Sequence, residues 1–349
     1  MRQSGVATVA QLPEFDEIID ARSPAEYADD HLPDAVSCPV LDDAQRAHVG
    51  TLYKQSSPFE ARKIGGVWVA RNVAAHVERL FLDKPRQWRP LVYCWRGGQR
   101  SGAFTHILRQ IGWDAQRLEG GYKFWRRQVI ADLAAWPQAL KFRVVSGATG
   151  SGKSRLLEAL AAAGAQVLHL EELAAHKGSV LGVLPQTAQP SQRYFESRLH
   201  AALAGLDRER PVYVEAESRR IGSVQLPNEL LDTMRAAPSL RLEVPLDARV
   251  DFLLGDYDYF LADPVGLCER LGQLSELQGK ETVARWIALA EAGEFRSLVQ
   301  ELLEAHYDPL YERSQQKNFS AYQGTTPLAL PDLAAESVAR LARELLTSA

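Results

Sequence analysis

The sequence predicts an α/β protein of two domains, each built on a parallel sheet, with a helical C-terminal region. Three observations predict it. The chain has 349 residues, enough for two buried cores at roughly 150 residues per domain. Short apolar runs alternate with stretches of helical periodicity, the order that generates parallel sheets. Two of those runs end in glycine-rich loops that lead directly into a helix, one at 94–101 and one at 147–154.

In chain order, Glu17-Ile18-Ile19-Asp20 and Pro90-Leu91-Val92-Tyr93 read as strands, and Ser101 to Ile111 has helical spacing that stops at Gly112. A short strand at 115–118 and a helix from Tyr122 towards Trp136 follow, with Pro137 ending the helix. The stretch 131–141 reads as a linker, which divides the chain into domains at 1–136 and 137–349. The second domain opens on the strand Phe142-Arg143-Val144-Val145. It continues with a helix from Ser154 to Ala163 and strands at 167–170, 211–214 and 240–244. Beyond Val250 the pattern is mostly helical, ending in an amphipathic stretch from Leu333 to Leu346.

Composition narrows the function classes. With 46% hydrophobic and 24% charged residues the chain is globular and not disordered. No apolar run approaches the roughly 20 residues of a membrane helix, and the first fifteen residues lack the layout of a signal peptide. A cytosolic protein with no membrane partner is expected. Cys38, Cys94 and Cys268 are odd in number and far apart, which excludes a disulfide framework and a Cys-x-x-Cys metal pair. The net charge of -4 conceals an asymmetry: residues 44–141 carry 17 Lys and Arg against 6 Asp and Glu, whereas residues 1–43 carry 2 against 10. The cationic block suits docking of a polyanion such as nucleic acid, and equally suits charges that pair with the acidic first 43 residues.

The loop Cys94-Trp95-Arg96-Gly97-Gly98-Gln99-Arg100-Ser101 lies between a strand and a helix. Backbone N–H groups at such a junction, a helix N-terminus, and the neighbouring Arg96 and Arg100 favour a thiolate at Cys94, and Gly97 and Gly98 allow the loop to curl around it. A nucleophilic sulfur in an anion cradle is expected. In the second domain, Gly147-Ala148-Thr149-Gly150-Ser151-Gly152-Lys153-Ser154 matches G-x-x-x-x-G-K-[ST] in its required strand-to-helix context. The backbone through Gly147, Gly150, Ser151 and Gly152 would cradle phosphates, Lys153 would neutralise them and Ser154 would ligate Mg²⁺. The strand Val212-Tyr213-Val214 ends at Glu215 and Glu217, either the metal- or water-binding partner of that loop or a solvated strand end.

Asp20-Ala21-Arg22-Ser23-Pro24-Ala25-Glu26-Tyr27, followed by His31-Leu32-Pro33-Asp34-Ala35-Val36, resembles the opening signature of rhodanese domains, and the Cys94 loop resembles their active-site loop. The resemblance implies a cysteine that carries sulfur or selenium. The Cys-x5-Arg spacing also fits a cysteine phosphatase, whose usual His before the cysteine is here Tyr93. A rhodanese-like domain followed by a P-loop NTPase-like domain resembles the tRNA 2-selenouridine synthase family. Further segments carry that resemblance: 49–55, 119–123, 170–179, 189–192, 215–222 and 306–309. It implies conversion of wobble 2-thiouridine in tRNA to 2-selenouridine through an S-geranylated intermediate, with geranyl diphosphate and selenophosphate as co-substrates and a selenophosphate-supplying enzyme as a partner. On this reading the basic block and Trp95 would meet the anticodon arm. His176, Arg219 and Arg220 would contact tRNA or substrate, unless His176 is structural. A P-loop kinase with a regulatory rhodanese domain and a rhodanese-fold phosphatase are the rival readings.

Overall fold

The computed structural model describes residues 5–179, 181–184, 187–319, 321–322 and 324–347. It contains two five-stranded sheets, each entirely parallel, and the chain divides into two compact units.

The first unit holds β1 (Val6–Ala7), β2 (Glu17–Asp20), β3 (Val36–Ser37), β4 (Pro90–Tyr93) and β5 (Gln116–Leu118), in the order β1-β5-β4-β2-β3. The central strand β4 is buried along its whole length, as a strand covered on both faces must be. Around the sheet lie α1 (Pro24–Asp29), α2 (Asp43–Gln55), α3 (Pro58–His76), α4 (Gln99–Ile111) and α5 (Gly121–Ala135). Ser23 and Glu26 close a capping box at the start of α1, and Asp42 and Gln45 do the same for α2. Ile19, Val92, Phe104, Leu108, Trp88 and Trp113 form the core between sheet and helices. Trp113 and Trp125 are core residues and Trp68 packs against the core from a half-buried position, whereas Trp95 is 37% exposed.

The second unit holds β6 (Lys141–Gly147), β7 (Gln166–Leu168), β8 (Pro211–Glu215), β11 (Ser239–Glu243) and β12 (Leu328–Ala329), ordered β12-β11-β6-β8-β7. The two strands between, β9 (Arg220–Ile221) and β10 (Val224–Gln225), pair as a separate antiparallel hairpin. Helix α6 (Lys153–Ala162) follows the glycine-rich loop, α7 (Leu170–Ala174) follows β7, and the last helix, Ala335–Thr347, packs its apolar side on α6. From Leu246 to Asn318 the chain is almost continuously helical. A cluster of Phe260, Leu267, Leu271, Trp286, Leu298 and Leu302 gives this region its own core.

Two features depart from the boundaries read in the sequence. The stretch 131–141 is not an extended linker: α5 continues to Ala135, a 3-10 turn covers Trp136–Ala139, and β6 begins at Lys141. Pro137 sits near the start of that turn, where its missing N–H is harmless. The segment Ser191–Ala201, which opens α8 (Gln192–Ala204), clusters with the first unit although 137–190 belongs to the second. Its Ser197 hydroxyl donates to the buried Asp30 carboxylate at 2.7 Å, and Tyr194 packs on the His31 ring at 4.2 Å. That single hydroxyl carries no periodicity or spacing, so nothing in the pattern announced it.

Candidate functional site

In the first unit, the central strand β4 delivers Cys94 to its carboxyl end, where ligand sites of parallel sheets lie. Cys94 is buried, and its Sγ lies 3.2 Å from the hydroxyl of Ser101 in the first turn of α4. The loop between them is shaped from the side by the 119–123 segment. The backbone N–H of Tyr122 donates to the Cys94 carbonyl at 2.9 Å, that of Lys123 to the Trp95 carbonyl at 3.0 Å, and Arg117 Nη1 to the Gly97 carbonyl at 3.1 Å. Two glycines permit this approach. Gly97 has φ +64° and a Cβ there would stand 2.6 Å from the Leu118 carbonyl oxygen; Gly121 has φ +57° and a Cβ there would collide with the Cys94 carbonyl oxygen. Gly98 has no neighbour within 4 Å of an added Cβ. Of the two consecutive glycines, then, Gly97 is the one that the geometry requires.

Arg100 does not stand free beside the sulfur. Its Nη1 and Nη2 donate to both carboxylate oxygens of Glu26, at 2.5 and 3.2 Å, while Glu26 also accepts the N–H of Ser23. Burial would raise the Glu26 carboxyl, but the Arg100 contact overrides it and holds the group below the usual carboxylate range. Arg96 is exposed. Two other residues of the opening signature, Asp20 and Arg22, are buried and paired with each other. Arg22 is 1% exposed, forks onto Asp20 at 2.6 to 3.0 Å, and lies 4.0 Å over the Tyr122 ring. Tyr93, at the position before the cysteine, donates its hydroxyl to Asp20 at 2.7 Å. Trp95 stacks on Tyr122 with ring centroids 5.3 Å apart and keeps a face towards solvent.

In the second unit, the central strand β6 ends at Gly147, and the loop to α6 lines a cavity of about 620 Å³. Gly150, Ser151, Gly152, Lys153 and Ser154 all face it. Lys153 Nζ donates to the Gly147 carbonyl at 2.9 Å and sits 5.4 Å from the centre of the Tyr311 ring, and the Tyr311 hydroxyl accepts the Gly147 N–H at 2.7 Å. Arg249 holds the loop from behind. Its Nε donates to the Thr149 carbonyl at 2.9 Å and its two terminal nitrogens fork onto Asp308 at 2.6 and 2.9 Å.

Three carboxyl groups gather opposite the loop. Ser154 Oγ donates to Glu171 Oε2 at 3.0 Å, and the Glu171 N–H donates to Glu215 Oε1 at 2.8 Å. Glu217 lines the cavity beside Glu171. Burial pushes all three up: Glu215 to about 7, with the Glu171 charge adding to it, and Glu217 well above the ordinary range, with Glu171 and Glu215 both adding. Glu215 Oε2 is buried without a partner among the described residues. Glu215 and Glu217 are therefore not a solvated strand end. Glu171, Arg249, Asp308 and Tyr311 were not singled out in the sequence. Glu171 and Asp308 lie inside segments that carried the family resemblance, but neither residue type nor spacing marked them as site residues.

The remaining candidates stand apart from this cavity. His176 is 5% exposed, accepts the Gly178 N–H at Nδ1, and is driven towards the neutral form by burial, with Arg270 adding. Arg219 and Arg220 are exposed at the β9–β10 hairpin, where Arg220 Nε donates to the Gly222 carbonyl.

The cavity has an apolar annex. Thr149, Ser179, Leu253, Tyr257 and Tyr307 line both spaces, and beyond them the wall is hydrocarbon, with Phe260, Leu267, Phe295, Leu298, Val299 and Leu302 among its residues.

The cationic block is partly neutralised within its own unit. Lys84 pairs with Glu17, Arg89 with Glu14, and Arg46 and Arg100 with Glu26, so the acidic first 43 residues do meet it. Lys54, Arg71, Arg86 and Arg96 are exposed, and no ion pair holds them among the described residues.

Comparison with known proteins matches two families along the chain. Residues 6–128 match the rhodanese-like domain family, and residues 140–265 match the family described as the tRNA 2-selenouridine synthase AAA domain. A tRNA 2-selenouridine synthase of Nitrosomonas europaea is 38% identical over 260 residues, which cover 73% of this chain and 66% of that protein. Those of Marinobacter nauticus and Cupriavidus necator are 31% and 33% identical, covering 84% and 88% of this chain and 87% and 91% of theirs. The match thus spans slightly under two thirds of the Nitrosomonas protein and most of the other two.

Proposed function

The chain belongs to the tRNA 2-selenouridine synthase family, and on that premise we propose that it replaces the sulfur of a wobble 2-thiouridine in tRNA by selenium in two steps run at two sites. In the first, the thiocarbonyl sulfur attacks C1 of geranyl diphosphate: the S–C1 bond forms, the C1–O bond breaks, diphosphate leaves and the N3 proton is lost. In the second, hydrogen selenide, released from selenophosphate by water with phosphate as the other product, adds at C2; the C2–S bond breaks and geranylthiol leaves. A bare thiocarbonyl sulfur is a poor leaving group, and alkylation makes it a good one.

The observation that carries the assignment is the adjacency of the phosphate cavity and its apolar annex, which share Thr149, Ser179, Leu253, Tyr257 and Tyr307 as lining residues. A ligand that fills both has phosphate at one end and hydrocarbon at the other, which describes a prenyl diphosphate. Lys153 and the loop N–H groups bind the departing diphosphate, where charge accumulates in the transition state. The donor set fits Mg²⁺, a hard cation that takes oxygen ligands. Ser154 and Glu171 would hold it, and Glu217 lines the same cavity. Mg²⁺ supplies neutralisation of the diphosphate. Arg249 and Asp308 hold the loop in the binding conformation.

Cys94 serves the second step by positioning the hydrogen selenide beside the prenylated base, with no S–Se bond formed. The engagement of Arg100 by Glu26 favours this over phosphoester hydrolysis, because a phosphatase needs that guanidinium for its phosphate. The unpaired Lys54, Arg71, Arg86 and Arg96 suit the tRNA backbone, and the exposed face of Trp95 suits stacking on an unstacked base.

The test is mass spectrometry of nucleosides from 2-thiouridine tRNA incubated with the protein, geranyl diphosphate and Mg²⁺, then with selenophosphate. The expected products are S-geranyl-2-thiouridine and then 2-selenouridine. Phosphorylation by ATP with no prenylated nucleoside would replace this reading with the kinase one.

A further inference from the structure

The annex is small, and its wall on one side is packed core. Phe260, Leu267, Leu298 and Leu302 line it and also belong to the buried cluster around Trp286, so that side has no room to yield. Phe295 and Val299 line it from half-buried positions. The free space is about 70 Å³, against the roughly 150 Å³ of an apolar cavity that holds benzene. Ten prenyl carbons do not fit in it. The branched, dimethyl-terminated end of a prenyl chain does, with the remainder of the chain and the diphosphate lying in the 620 Å³ cavity next to it.

We propose that the annex is a chain-length gauge, in which Phe295 and Val299 form the adjustable part of a stop that receives the terminal carbons of the prenyl group. The inference rests on the prenyl diphosphate reading of the phosphate loop and adds to it the residues that choose among donors. A chain one isoprene unit too long drives its end into Leu267 and Leu298, which are backed by core. A chain one unit too short leaves the annex unfilled and forfeits its dispersion contacts.

The test measures transfer from dimethylallyl, geranyl and farnesyl diphosphate to 2-thiouridine tRNA by the full chain and by two variants of opposite effect. Phe295→Ala deepens the annex and should raise the kcat/KM ratio of farnesyl to geranyl by about tenfold or more, the scale on which an apolar pocket discriminates hydrocarbon size. Val299→Phe fills it and should raise the ratio of dimethylallyl to geranyl by a similar factor. Binding of inorganic pyrophosphate, measured alongside, should match that of the unmodified chain in both, since neither residue lines the phosphate cavity. Because the two ratios move in opposite directions, either variant that retains pyrophosphate binding decides the matter. Unchanged donor ratios in such a variant overturn the gauge alone. Failure of the unmodified chain to transfer any of the three groups overturns the prenyl reading itself, and the gauge with it.

Discussion

The two glycine-rich loops have the same place in the fold and opposite surroundings. Each follows the central strand of a five-stranded parallel sheet and leads into a helix. Around Cys94 the neighbours consume the loop's polar groups: Tyr122 and Lys123 take the Cys94 and Trp95 carbonyls, Arg117 takes that of Gly97, and Glu26 takes Arg100. Around Lys153 the loop faces a cavity, and Glu171 and Glu217 face it too. A site that presents one sulfur atom is made by packing everything else tightly around it. A site that must accept several ligand charges keeps open space in front of its loop and stores its carboxyl groups where burial makes their charge costly.

That contrast can be broken from the tight side first. In Gly121→Ala a methyl group meets the Cys94 carbonyl in a backbone conformation unfavourable to alanine. Selenium exchange on prenylated tRNA should fall by about a hundredfold or more, a 1 Å misplacement being enough for such a loss, while prenylation proceeds unchanged. Equal loss in both half-reactions would show that the clamp does more than shape the cysteine loop. On the open side, Arg249→Ala removes the fork between Asp308 and the Thr149 carbonyl. The KM for the prenyl donor should rise by roughly tenfold, in line with the loss of a charge-assisted contact, with the exchange step unaffected. A KM that does not move would remove Arg249 from the loop's support.

The carboxyl cluster gives a pH signature confined to the open side. Burial lifts the Glu215 carboxyl from 4.5 to about 7, so between those values the native state keeps a proton that the unfolded chain has released. Stability therefore falls as pH rises through that window, by up to on the order of 3 kcal/mol at 1.36 kcal/mol per pH unit. Glu215→Gln should flatten part of the decline in denaturant midpoint between pH 5 and 7.5, leaving the share due to Glu171 and Glu217. An unchanged slope would place the charge elsewhere. The smallest effect is expected for Gly98→Ala, whose added methyl meets nothing within 4 Å; selenation should stay within about twofold of the unmodified chain, on the scale of a neutral surface change. A severe loss would mean that Gly98 itself approaches the substrate.

The architecture was legible because its signals are local. Strand–glycine–helix junctions at Tyr93–Gln99 and Gly147–Lys153 need only a few neighbouring residues to be recognised, and each fell at the end of a central strand. The unread parts depend on residues distant in sequence. Nothing near Arg100 shows that Glu26 will take its guanidinium, and nothing near Gly147 shows that Tyr311 will cap it from 164 positions away. The annex was equally invisible, because its Leu and Phe residues repeat with the same periodicity as any buried helix face. Segment Ser191–Ala201 escaped for the same reason: its attachment to the first unit rests on Ser197 and Tyr194 finding Asp30 and His31.

The division of labour between the tight and the open site is tested most directly by assaying the two half-reactions separately in Cys94→Ala and Lys153→Ala. Lys153→Ala should lose prenylation of 2-thiouridine by about a hundredfold or more, as expected for removing one contact to a departing diphosphate, and should still convert prenylated tRNA to 2-selenouridine. Cys94→Ala should prenylate normally, bind tRNA normally and fail at the exchange. Prenylation at the unmodified rate by Lys153→Ala, or completed exchange by Cys94→Ala, would contradict the assignment of one step to each site.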